Sequence, residues 1–180
     1  EIDLLIPKQN YKNALQILNN AGYVTSGDHL TKINGGPGIK LHTSFTHKET
    51  ESLTHQIWQR SIASIAPDLP SHVSALSHED NLIYLITLCT KQNLIESPIW
   101  MNDLHYLFQN QDFQINADWD WLIWYFAHHH LTSSAWFVFN FLNSQSGTQI
   151  SKEILDQIGE PLGSMKKHLI ANLANPDVWF

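Results

Sequence analysis

Two acids open the chain, Glu1 and Asp3, set one residue apart in the run EIDLLIP. Side chains alternate faces along a strand, so both carboxylates point the same way with their Cα atoms about 6.6–7 Å apart. Two ionised carboxylates at that spacing repel unless water or a cation lies between them. Phosphoryl chemistry with two metal ions uses such a pair, clamping divalent ions roughly 3.5–4 Å apart across an in-line displacement. The same two acids also fit the solvated face of an edge strand. Spacing alone leaves both readings open.

Other residues invite chemistry and are weighed the same way. His42 follows Lys40 on one strand face in GIKLH, and a packed hairpin would aim it at Glu1 and Asp3. There it is either a histidine bonded to a neighbouring acid or a substrate contact. The triplet HHH at 128–130 cannot converge on one ion, because consecutive helical residues point about 100° apart. His128 reaches back only to Trp124, and polar residues ending an aromatic helix are the simpler reading. In DWDW, the acids Asp118 and Asp120 diverge on a helix and suit its first turn, where anions meet the positive end of the dipole. Asp103 is an isolated acid among apolar residues in MNDLHYLF. No spacing of Ser, His and Asp marks an acyl-transfer enzyme.

Composition limits the partners. The net charge is −7, and Arg60 is the one arginine among ten basic residues, which argues against a nucleic-acid surface built on clustered cations. No apolar run approaches the roughly 20 residues of a membrane span, and nothing reads as a signal peptide. A single cysteine, Cys89, precludes an internal disulfide and makes a reducing cytoplasm the expectation. Seven Trp, eight Phe and five Tyr promise an aromatic core. The chain starts without a methionine, on a strand whose first residue is charged, and a fragment is the expectation.

The elements that would position these residues follow from periodicity. Alternation over 1–6 gives a strand, and Pro7 opens a helix over 8–21 that Gly22 stops. Two extended pieces, 29–33 and 38–45, joined by NGGPG, form a hairpin. Residues 51–64 read as helical and PDLPSHVSALS as a connection. A strong helix then opens at Ser77, with Asp80 three positions on as a variant of the capping box. Further helices fit 99–109, 118–130, 133–144, 151–158 and 162–173. Leu82, Leu85, Leu88, Trp100, Leu104, Trp121, Tyr125, Trp136 and Phe139 are the expected core. The fold class is α+β: a small mixed sheet over 1–65, then a helical region over 66–180.

Acid–hydrophobe–acid on a strand, a helix ending in GY and a hairpin ending in GIKLH resemble the polymerase-beta superfamily of nucleotidyltransferases. More narrowly, EIDLLIPKQNYKNALQILNNAGY resembles a largely uncharacterised bacterial branch of it. That branch carries a strand of acid–hydrophobe–Asp–Leu–Leu–Val and later a strand of hydrophobe–acid–Leu–His. IWMNDLHYLF is similar to its Leu-x-Asp-Leu stretch and NADWDWLIWYFA to its Asp-Trp helix. The resemblance implies that Glu1 and Asp3 hold Mg²⁺, that the metal binds the triphosphate of an NTP, and that an acceptor attacks the α-phosphorus. It also implies a substrate-side role for Lys40, His42 and Asp103. The family's Gly-Ser turn would lie upstream of Glu1 and is absent from the 1–65 head. Its third carboxylate falls at Lys40, which has three donors and no acceptor and cannot ligate Mg²⁺. The expectation is a nucleotidyltransferase-like protein with an unassigned acceptor, degenerate in this chain. The alternative is a binding or regulatory module that keeps the fold without catalysis.

Overall fold

The computed structural model describes residues 2–27, 29–44, 51–63, 73–91, 98–145, 148 and 150–174. The chain divides into two compact units, Glu1–Gln59 and Arg60–Phe180.

In the first unit, β1 (Ile2–Leu5) leads through Pro7 into a single tight turn at Lys8–Asn10 and then α1 (Tyr11–Asn20). The helix is thus reached one turn later than Pro7 alone suggests. Ala14, Leu15 and Leu18 are half-buried as the spacing required, whereas Tyr11 is exposed. Gly22 takes φ +87 and ends the helix, a conformation open to glycine at no steric cost. The next residues, Tyr23–Ser26, form a strand, β2, that the sequence reading left unassigned. It pairs antiparallel with β3 (His29–Lys32), and Lys32 Nζ lies 5.7 Å from the ring centre of its cross-strand neighbour Tyr23. β3 pairs antiparallel with β4 (Ile39–His42) at Leu30 and Ile39, the expected NGGPG hairpin. Gly35 and Gly36 both adopt positive φ there. β4 in turn runs parallel to β1, so the sheet order is β1-β4-β3-β2 and the sheet is mixed. Leu30, Ile39 and Ile57 of this unit are buried. Ile57 sits on α2 (Glu51–Arg60).

The second unit begins with a correction. The expected helix over 51–64 stops at Arg60; β5 (Ile62–Ala63) falls within its expected end and pairs antiparallel with β6 (Ser74–Ala75), which lies inside what read as a plain connection. Among the described residues, everything after 77 that is regular is helical: α3 (His78–Lys91), α4 (Pro98–Gln109), α5 (Gln111–Asn116), α6 (Trp119–His128), α7 (Thr132–Gln145), α8 (Lys152–Gly159) and α9 (Ser164–Ala174). None of these helices is long and apolar enough to cross a membrane.

α3 starts where expected. Ser77 Oγ accepts from the Asp80 amide at 3.1 Å and donates to Asp80 Oδ2 at 3.0 Å. Asp80 is fully buried, and its charge is matched by Arg60, whose Nε and Nη2 donate to the two carboxylate oxygens at 3.1 and 2.6 Å. The guanidinium carbon lies 4.4 Å from the ring centre of Trp121, a cation–π stack that keeps the planar group in place.

Around this corner the core closes. Leu82, Leu85, Leu104, Tyr125 and Phe139 are buried as expected, while Leu88, Trp121 and Trp136 are half-buried. The side chain of Trp100 lies outside the described residues. Phe113 and Leu122 join the core, and Phe108 meets Phe113 and Phe139 edge-on with ring centres 5.4 and 5.5 Å apart. Phe113 comes from α5, a short helix the sequence reading missed; Asn110 caps it by accepting from the Phe113 amide at 3.1 Å. α6 is not buried all round, since Trp124 is 56% exposed and stacks instead on His128. Gly159 passes close to Trp136, and a Cβ there would meet its Nε1 at 2.7 Å, so α7 and α8 pack at a distance that only glycine allows.

Two outcomes follow from these interiors. Arg60→Met leaves Asp80 buried without its counter-charge and should cost about 3 kcal/mol, the low end for a broken buried pair because Arg60 is partly exposed. Urea denaturation measures it; a loss under about 1 kcal/mol would show that the pair is not what holds this corner. Burial pushes the Cys89 thiol up to about 11, so at pH 8 the native protein should resist alkylation that proceeds readily in denaturant, as read by mass spectrometry.

Candidate functional site

The site-bearing residues of the first unit meet on one face of the β1–β4 pair. The two strands are parallel with Ile2 opposite Ile39, Asp3 opposite Lys40, Leu4 opposite Leu41 and Leu5 opposite His42. The Ile2 amide donates to the Gly38 carbonyl and the Ile6 amide to the His42 carbonyl, each at 2.8 Å, which fixes the register at both ends. A slip of one residue would turn Asp3 to the other face, so these two bonds decide what Asp3 meets. With the register held, Asp3, Leu5, Lys40 and His42 share a face.

His42 Nε2 and Asp3 Oδ1 are 2.6 Å apart, and both side chains are about one-third exposed. An ionised carboxylate only accepts, so the imidazole must donate and Nε2 carries the proton. Asp3 thereby fixes the tautomer and ring direction of His42, and Nδ1 is left for another partner. Lys40, two residues earlier on the same strand, stands directly across from Asp3 in register. The sequence reading aimed His42 at the opening acids, and the structure places it on Asp3. Glu1 lies outside the described residues. Asp103 is exposed on α4 in the second unit.

A magnesium ion takes six oxygen ligands in near-octahedral geometry and uses carboxylates for the protein's share. Of the residues in the sheet's four strands, Asp3 is the one acid, and its Oδ1 already accepts from His42. Lys40 supplies no acceptor. Among the described residues, no three His, Cys, Asp or Glu side chains gather closely enough to hold a metal ion. The described residues of this face therefore do not fit a magnesium centre.

The first unit is thus a small mixed sheet whose edge strand carries Asp3 and whose next strand brings His42 onto it, with Lys40 opposite in register. The chain belongs to the family described as uncharacterised nucleotidyltransferase, whose model matches residues 1–144. The matched stretch runs from β1 into α7 and so takes in the sheet as well as most of the helices. No curated protein and no solved structure matches the chain.

The remaining candidates resolve into helix ends. Asp118 accepts from the Trp121 amide at 3.0 Å and caps α6, with Asp120 in the first turn. His128 stacks on Trp124 with ring centres 5.0 Å apart, and His129 on Tyr125 at 4.1 Å. His130 leaves the helix with φ +59. The rings of His128 and His129 stand edge-on to each other, 76° apart.

Desolvation against Tyr125, helped by His128 and His130, holds the His129 imidazole below its ordinary value. A group with a lowered folded value contributes stability that is present above the unfolded value, near pH 6.5, and is lost as pH falls through the folded one. His129→Gln should accordingly flatten the acid side of the stability curve below about pH 6.5 and leave it unchanged at pH 8. Thermal melts across that range provide the check.

Proposed function

We propose that this chain acts as a nucleotidyltransferase-like protein whose NTP-facing surface is the Asp3–Lys40–His42 face of β1 and β4. It passes a nucleotidyl group from the NTP to an acceptor whose class stays open. The observation that carries the reading is the convergence of an acid, a lysine and an oriented histidine on one strand pair, in a chain of a nucleotidyltransferase family. In such a transfer the acceptor oxygen bonds to the α-phosphorus while the bond to the pyrophosphate oxygen breaks. Lys40 suits the anionic phosphates as a compact charge with three donors. His42, with Nε2–H on Asp3, presents Nδ1 as an acceptor for a proton from an incoming hydroxyl. An NTP carries its own divalent ion from solution.

A second reading keeps the fold and drops the chemistry. It is favoured by one contact: the carboxylate that would do the work is already engaged by His42. The face then binds a nucleotide as a binding or regulatory module.

Two assays on the whole chain separate the readings. A thermal-shift screen of the four NTPs, with and without Mg²⁺, reports binding. Incubation with α-labelled NTPs and cell extract reports transfer. The catalytic reading expects at least one NTP to raise Tm and label to reach an acceptor, with Asp3→Asn abolishing the label. A raised Tm with no label in any fraction supports the binding module. No shift with any NTP overturns both.

A further inference from the structure

We infer that Lys40 and His42 take the place of a divalent cation at the Asp3 face, with Lys40 as the residue that excludes the metal. The inference concerns the face proposed above for nucleotide, but a metal titration without nucleotide tests it independently of that reading.

The argument rests on register and on one contact. A metal ion beside Asp3 would do two things: occupy carboxylate lone pairs and neutralise charge. His42 already does the first, with Nε2 2.6 Å from Oδ1. Lys40 does the second, because the parallel register puts its Cα opposite that of Asp3, across a strand spacing of about 4.8 Å. Parity fixes the face. His42 is on the Asp3 side by direct contact, and Lys40, two residues away on the same strand, must share that side. A divalent ion arriving at Asp3 would have to displace the imidazole and sit near an ammonium that it repels. A salt bridge on a solvated strand adds little stability, so this cluster sets which ions the face admits rather than how firmly the sheet folds.

The strength of the exclusion follows from Coulomb's law. A unit charge about 6 Å from a divalent ion in a water-like dielectric changes its affinity about tenfold. Mn²⁺ binding to the whole chain, followed by the electron paramagnetic resonance of the free ion, reads this directly. Wild type should bind weakly, Lys40→Met about tenfold more tightly, and Lys40→Asp more tightly again, by a further tenfold or more from the added ligand. Adding Asp3→Asn to Lys40→Asp should remove most of the gain, because the new acid needs Asp3 as its partner ligand. Circular dichroism shows whether each variant folds. Should Lys40→Asp fail to fold, Lys40→Met carries the test by itself. Equal Mn²⁺ affinity in wild type and Lys40→Met would overturn the proposal, as would a Lys40→Asp gain that survives Asp3→Asn.

Discussion

Arg60 is the one arginine of the chain, and its guanidinium is committed twice over. Two of its nitrogens donate to the carboxylate of Asp80 while its flat face rests on Trp121. Asp80 could not be fully buried otherwise, since an unpaired carboxylate in that setting would neutralise or pull the helix end outward. The same carboxylate accepts from Ser77, whose Oγ caps α3 by accepting the Asp80 amide. Removing the guanidinium thus strains the start of α3, the helix that supplies Leu82, Ile83 and Ile86 to the core. A lysine in place of Arg60 could neither fork onto both oxygens nor stack in the plane of Trp121.

The sheet of the first unit obeys a different constraint. Its few buried residues leave register, set by backbone bonds between β1 and β4, as the feature that decides the chemistry. Fold and site then part company. In this chain the edge strand β1 presents Asp3, and β4 brings His42 onto it with Lys40 opposite in register. Strand parity lets the charge of that face vary without disturbing the pairing, because an outward side chain takes no part in the backbone bonds.

The elements with long or clean periods were readable from the sequence. β1, β3, β4, α1, α3, α4 and α6 to α9 fall close to where alternation or 3.6-residue spacing put them. Short elements were not. Tyr23–Ser26 gives four residues of alternation right after a glycine turn, and the two-residue pairing of Ile62–Ala63 with Ser74–Ala75 has no local signature at all. α5 was missed for a similar reason, although its cap at Asn110 is a recognisable signal. The reading of 118–130 as one helix ran past His128 because nothing local forces the positive φ of His130. In the site, the contact of His42 with Asp3 was legible from parity. The Arg60–Asp80 pair was not, because partners 20 residues apart leave no trace in either segment.

The parallel pairing of β1 with β4 also has a consequence in time. Antiparallel neighbours can close as soon as their turn is made, but a parallel neighbour must wait for everything between. Here residues 6–38 separate the two strands, and α1, β2 and β3 lie inside that interval. At roughly 5–20 residues per second on the ribosome, β1 leaves the exit tunnel about 2–7 seconds before β4. Through that interval Ile2, Leu4 and Leu5 have no strand beside them, and the nascent segment presents bare amides and aliphatic side chains to whatever is near. The β2–β3 hairpin can form meanwhile from local contacts. Asp3 then acquires its histidine and lysine neighbours in one event, when β4 arrives between the hairpin and the waiting strand and completes the sheet from its middle.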